Sequence, residues 1–207
     1  SSTDELPRNV NSAQGFAIGD INGDGLPDLV NGLGNEGNLS IYINQDGDAL
    51  SRIDLIELDH SAAGVYPQLI DMDQDGDLDI VYTGLTSDQS SDQFGLGIGY
   101  NDGTGHIHPV FVTDAWAPDA TIVGMRKADF NGDGRLDVIG SSRTDIRLFI
   151  NNGAGGFLPG LVVYEDGIAI SQMEIGDMDM DGNEDLIIAS DTNRQILCLR
   201  GDGAGEF

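Results

Sequence analysis

Short apolar runs alternate with Gly- and Asp-rich breaks along the whole chain. Within the runs the hydrophobic positions keep a period of two or form brief unbroken blocks, and no stretch sustains a helical period. The pattern predicts strands at 15–19, 28–31, 39–44 and 52–58, then at 66–70, 79–83, 94–100 and 107–113. It continues with 121–128, 137–140, 146–150 and 158–164, and closes with 170–176, 185–189 and 196–200. These fall into four repeats, approximately 12–60, 61–118, 119–168 and 169–207, and the last lacks its fourth strand. The chain of 207 residues reads as one all-β region. Between the third and fourth strands sits a turn rich in Asn-Gly and Asp-Gly, beginning at Asn44, Asn101, Asn151 and Gly201. Such pairs supply the positive φ angles that hairpins require. The longest connections are predicted at 84–93 and 114–120.

Between the first and second strands of every repeat lies the pattern D-x-[DN]-x-D-G-x-x-D, starting at Asp20, Asp71, Asp129 and Asp177. The starts are 51, 58 and 48 residues apart, the size of a four-stranded propeller blade. Oxygen-bearing side chains recur at positions 1, 3, 5 and 9: Asp20, Asn22, Asp24 and Asp28; Asp71, Asp73, Asp75 and Asp79; Asp129, Asn131, Asp133 and Asp137; Asp177, Asp179, Asp181 and Asp185. So many carboxylates would repel one another in an ordinary turn, and a hard cation that takes six to eight oxygens removes the repulsion. Position 7 is Leu26, Asp77, Arg135 or Asn183, a variety that points to its backbone carbonyl as the ligand. A donor set without His or Cys favours Ca²⁺ over softer metals, with about four ions, one per repeat. Solvated Asp-Gly turns are the plain alternative, but four copies in one register argue against it. An EF-hand requires Glu at position 12, where this chain has Asn31, Tyr82, Gly140 and Ile188. Each loop runs directly into an apolar pair and a strand. By ligand charge, the loops at Asp71 and Asp177 should bind more tightly than those at Asp20 and Asp129, which use Asn at position 3.

Charge changes the picture of partners. With 36 acidic and 9 basic residues the net charge is −27, which repels phosphate backbones and anionic lipid. No apolar run reaches the length of a membrane span. Weak calcium sites fill in the millimolar calcium outside cells, so an extracellular, periplasmic or cell-surface location is expected. Cys198, the one cysteine, lies in an apolar strand and is expected to be a small buried hydrophobe.

The loop, the apolar pair after it and the later Asn151–Phe157 turn resemble the FG-GAP/VCBS repeat of integrin-type β-propellers. The resemblance covers the chain from about Gly15 to Phe207. Gly-Ala-Gly stands where Gly-Ala-Pro would, which is nearer the VCBS form. The resemblance implies four-stranded blades with calcium in the turn between the first and second strands. It also implies a seven- or eight-bladed ring, of which four blades are present. A fragment of a larger ring, half of an eight-bladed dimer and a small closed or open array all remain open. Residues 4–11 could supply the missing strand of the last blade.

In such propellers the calcium turns share one rim with the third-to-fourth-strand turns, and the opposite rim binds ligands. The resemblance places Asn35, Glu36, Tyr66, Asp88, Gln93, Trp116, Arg143, Asp145, Asp166 and Arg194 on that opposite rim. Trp116, Tyr66, Arg143 and Arg194 are the candidate ligand-binding residues. Trp116 could stack on a sugar ring or plug the gap between blades two and three. His106 and His108 alternate on one strand face with no third metal ligand in view. Arg200-Gly201-Asp202 reads as an integrin-ligand tripeptide but occupies a hairpin turn common to all repeats. No nucleophile elbow, zinc-protease, P-loop or dinucleotide motif occurs. Two functions stay open: a calcium-stabilised extracellular module binding a protein or glycan, and the propeller part of a secreted polysaccharide-degrading enzyme such as a lyase.

Overall fold

The computed structural model describes residues 13–33, 38–45, 50–57, 65–88, 91–116 and 120–207. They form four antiparallel sheets, each drawn from one repeat and each running in chain order from inside outward. Blade one comprises β1 (Ala13–Gly19), β2 (Asp28–Leu33), β3 (Asn38–Asn44) and β4 (Leu50–Glu57). Blade two comprises β5 (Pro67–Ile70), β6 (Asp79–Asp88), β7 (Ser91–Asn101) and β8 (Ile107–Trp116). Blade three comprises β9 (Ile122–Ala128), β10 (Asp137–Ser142), β11 (Ile146–Phe149) and β12 (Leu161–Tyr164). Blade four has β13 (Ile170–Gly176), β14 (Asp185–Ser190) and β15 (Gln195–Leu199). The architecture is an all-β array of propeller blades, and no helix occurs among the described residues. Residues 4–11, the proposed source of a closing strand, lie outside the described residues.

The apolar pair after each loop explains how the blades stack. In β6, Ile80 and Tyr82 face blade one while Val81 faces blade three. In β10, Val138 faces blade two and Ile139 faces blade four. A middle blade is covered on both faces, so its strands read as continuous apolar blocks instead of alternating. Three clusters fill the three gaps, with Val30, Leu39 and Ile41 against Leu69 and Ile80 in the first. Polar ties cross the same gaps: Asn101 Nδ2 donates to the Ile21 carbonyl at 2.6 Å, and Gln68 Nε2 to the Met125 carbonyl at 3.3 Å. Lys127 Nζ donates to the Leu69 carbonyl. At the two ends of the array no described residue covers the outer faces, with Phe16 and Ile18 exposed on β1 and Ile196 on β15.

Two expectations are corrected, and the two readings of Trp116 are decided. The stretch 84–93 is not a long connection: β6 continues to Asp88 and β7 starts at Ser91, with Leu85 paired to Phe94 and Thr86 to Gln93. The backbone ladder carries the hairpin past the end of the apolar pattern. Cys198 is exposed, because β15 is an edge strand whose outer face, shared with Ile196, has no blade beside it among the described residues. Trp116 ends β8 and is only 3% exposed. Its ring packs on Phe149, with centroids 5.6 Å apart, and sits over Gly140. It fills the gap between blades two and three, which leaves no free face for a sugar.

A Cβ on Gly140 would lie 2.6 Å from the Trp116 ring, whereas one on Gly124 would meet only the tip of Arg126 at 3.8 Å. Gly140→Ala should therefore destabilise the fold by about 1–3 kcal/mol through overpacking, and Gly124→Ala by much less. Denaturant melts compare the two, and equal losses would refute the Trp116 wedge.

Candidate metal loops and a central cavity

Each Asp-rich loop is strung on its own carboxylates. Position 1 accepts the N–H of the position-6 glycine: Asp20 from Gly25 at 2.8 Å, Asp71 from Gly76 at 3.1 Å, Asp129 from Gly134 at 2.8 Å and Asp177 from Gly182 at 2.9 Å. Position 5 accepts the N–H of position 7: Asp24 from Leu26, Asp75 from Asp77, Asp133 from Arg135 and Asp181 from Asn183, all within 2.8–3.0 Å. The position-6 glycine has positive φ in all four loops, and so does position 4. Position 4 is glycine in two loops, Gly23 and Gly132, but Gln74 and Met180 adopt φ of 63° in the others. A side chain in that region costs about 1 kcal/mol or more, and is held there only by surrounding structure.

Position 9 has a separate job. Asp28, Asp79, Asp137 and Asp185 are no more than 1% exposed. One oxygen of each accepts the position-2 N–H, from Ile21, Met72, Phe130 and Met178 at 2.8–3.1 Å. The other accepts the N–H that opens the third-to-fourth-strand turn, from Asn44, Asn101, Asn151 and Gly201 at 2.8–3.0 Å. Burial pushes the Asp79 and Asp137 carboxyls up, and the two N–H bonds to each oppose it. Each oxygen keeps a second lone pair, so these bonds leave room for a cation.

The loops differ in what surrounds their oxygens. Asp71, Asp73 and Asp79 bring carboxylate oxygens within 4.8 Å of one another, as do Asp177, Asp179 and Asp185. In each group one buried oxygen, Asp71 Oδ1 and Asp179 Oδ1, has no hydrogen-bond partner. Clustered carboxylates with an orphaned buried oxygen fit a hard cation and no softer metal. In the first and third loops the Asn22 and Asn131 amides instead donate to Asp24 and Asp133, at 3.0 and 2.9 Å. Two arginines intrude: Arg135 on Asp133, and Arg200 Nη1 on Asp179 Oδ2 at 2.6 Å. Arg200 thus braces the fourth loop, and Asp202 caps its own turn through Ala204 and Glu206. The tripeptide beginning at Arg200 is turn structure.

At the other side of the array, the inner strands of all four blades line a cavity of about 610 Å³. Tyr66 and Arg143 both reach it, beside Phe16, Gln68, Arg126 and Glu174. Arg126 forks onto Glu174, with Nε donating to Oε2 at 2.8 Å and Nη2 to Oε1. The arginine holds the Glu174 carboxyl below its ordinary range. Trp116 lies in the core and Arg194 on the β14–β15 turn at φ 52°, neither of them in the cavity lining. Asp145 is paired with Arg147 at 2.7 Å. Asp88 and Gln93 sit in β6 and β7, and Asn35 and Glu36 lie outside the described residues. His106 and His108 are exposed and touch edge to face, with centroids 4.8 Å apart. Sequence reasoning missed Phe16, Gln68, Arg126 and Glu174. Three of them carried a signal, since Gln68, Arg126 and Glu174 each stand three residues before a loop's first Asp, polar residues recurring at one offset in the inner strands.

The family model for the FG-GAP-like repeat matches residues 20–82 and 129–188, more than half of the chain. Among solved structures, the chain is similar to an Agrocybe aegerita lectin described as recognising non-reducing terminal N-acetylglucosamine. That match has a TM-score of 0.61 and 22% identity over 92% of this chain, and this chain spans 50% of the lectin. The V. cholerae biofilm matrix protein Bap1 matches at a TM-score of 0.42 and 17% identity, over 88% of this chain and 29% of Bap1. None of the curated proteins compared with the chain matches it. No helix among the described residues is long and apolar enough to cross a membrane.

Removing the position-9 carboxylate strands two buried N–H groups, which costs about 2–4 kcal/mol. Asp137→Ala should show that loss in EDTA, while Asp133→Ala, at an exposed loop position, should lose well under half as much. Equal destabilisation in denaturant melts would show that the buried strap is not what holds the loop.

Proposed function

The chain belongs to the FG-GAP-like repeat family, and on that premise we propose that it is a calcium-stabilised extracellular recognition module that binds a glycan or a protein through its inner-strand cavity. The observation that carries the reading is the cavity itself, where four blades present amides, hydroxyls, guanidiniums and the exposed Phe16 ring together. Concave sites that mix a few fixed polar groups with aromatic surface are where ligands bind. The likeness to the lectin supports the fold on which such a site is built. A glycan array probed with and without calcium tests the reading, and an absence of both glycan and protein ligands would reject it. The cavity also gathers Tyr66, Arg126 and Arg143, the outline of a site acting on acidic polysaccharide. Cleavage of such polysaccharides in a lyase assay would shift the reading to the propeller part of an enzyme.

Calcium in this reading is structural. Asp71, Asp73, Asp75 and Asp79 with the Asp77 carbonyl would hold one ion, and the equivalent residues of the other loops would hold theirs. The ion supplies positive charge to carboxylates that otherwise repel, so binding free energy becomes folding free energy. The exposed Ile18 and Ile196 at the two ends suit further blades, from a second copy or from a longer chain. A single-chain mass by light scattering would exclude the second copy.

Saturating calcium should raise the melting temperature relative to EDTA, since a site filled at ten times its dissociation constant adds about 1.4 kcal/mol. An unchanged melting temperature would exclude a structural ion. The arginines revise the order expected from ligand charge alone. Arg200 neutralises Asp179 and Arg135 neutralises Asp133, so the Asp71 loop should bind most tightly. Arg200→Gln should tighten the fourth site by about 1 kcal/mol, or roughly fivefold. Titration calorimetry in which Arg200→Gln weakens that site would overturn the ranking.

A further inference from the structure

Arg143 carries a guanidinium that no carboxylate among the described residues approaches, in a chain of 36 acidic and 9 basic residues. Arg126, Arg135, Arg147 and Arg200 each hold one. The Arg143 backbone is nonetheless fixed: its N–H donates to the Thr121 carbonyl at 3.0 Å, and its carbonyl accepts from Ile170 N–H at 2.8 Å. The residue is therefore clamped where blades three and four meet, and its exposed side chain lines the cavity. An unpaired cation left by so acidic a chain at the wall of a cavity is available to an anion from outside.

Two further features of the wall narrow the ligand. Gln14 lines the cavity, and its Oε1 is buried with no hydrogen-bond partner. A ligand hydroxyl satisfies that acceptor after a rotation of the amide. Phe16 lines the cavity while 67% exposed, an aromatic face of the kind that receives the C–H face of a sugar ring. Gln68, Gln172 and Ser171 add donors and acceptors around it.

Resting on the recognition reading above, we infer that the cavity takes a single terminal sugar residue bearing a carboxylate, a hexuronate. Its carboxylate lies in the Arg143 fork, its hydroxyls on the glutamine amides and its ring face on Phe16. The planar guanidinium matches a carboxylate bidentately. A terminal residue is favoured over a long polyanion by the charge distribution. Arg126 and Arg143 against Glu174 make the lining positive by one charge, while the chain as a whole stands at −27. Screening over about 8 Å at physiological salt confines the favourable field to the cavity and exposes a longer polyanion to the acidic surface.

The test titrates glucuronate and galacturonate, with glucose and galactose as neutral counterparts, into the chain in millimolar calcium by calorimetry or NMR. The uronates should bind about tenfold or more tightly than the neutral sugars. Arg143→Gln should abolish that preference with an unchanged melting temperature, and Arg143→Lys should keep part of it. Equal binding of uronates and neutral sugars, full uronate affinity in Arg143→Gln, or no uronate binding by a chain that binds some other glycan or a protein would each overturn the inference and leave the recognition reading standing. A chain that binds no glycan or protein of any kind removes both.

Discussion

A buried carboxylate with both oxygens committed to backbone N–H groups is the interaction on which the blades depend. Asp28, Asp79, Asp137 and Asp185 each tie the start of a loop to the strand after it and to the turn two strands later. A buried, unpaired carboxylate would be strongly disfavoured, and its two N–H donors would be no better off alone. Together they fix the geometry of three chain segments at one point. In the second and fourth loops the carboxylates at positions 1 and 3 then come within 4.8 Å of the position-9 carboxylate, a grouping that suits a hard cation.

Stacking then follows from the strands that leave these loops. The residue pairs Ile80-Val81 and Val138-Ile139 point to opposite neighbours, so each middle blade is glued on two faces by adjacent residues. Trp116 fills what remains of the second gap, and Gly140 is the vacancy that admits it. The same logic leaves Phe16, Ile18 and Ile196 uncovered at the ends, where the period of blades stops among the described residues.

Charge separates the loops from the cavity. The acidic loops gather on one rim with the third-to-fourth-strand turns, as Arg200 on Asp179 and Gln74 on the Gly153 carbonyl show. The cavity on the inner strands holds two guanidiniums instead, one neutralised by Glu174 and one with no carboxylate beside it among the described residues. On the proposed recognition reading, a ligand of modest charge is received away from the bulk of the negative field, on strands backed by the blades behind them.

Local chemistry made the repeats legible without any structure. The Asp and Gly spacing, the apolar pair and the Asn-Gly turns are set by neighbours a few residues apart, and each strand they predict occurs, with the β6–β7 hairpin running past its expected bounds. Position 4 escaped notice because Gln74 and Met180 reach positive φ through the loop around them, not through their own preference. The burial of Cys198 was misjudged, and the two readings of Trp116 stayed open, because a strand's burial depends on whether another blade lies against it, and strand periodicity does not encode that. The cavity was beyond the sequence for the same reason. Phe16, Tyr66, Arg126 and Glu174 belong to four different blades, and only the stacking of the inner strands brings them to one wall. What the sequence determined is each blade and the form of its loop; the tertiary structure decided which side chains were left facing solvent together, because that follows from contacts between residues far apart in the chain.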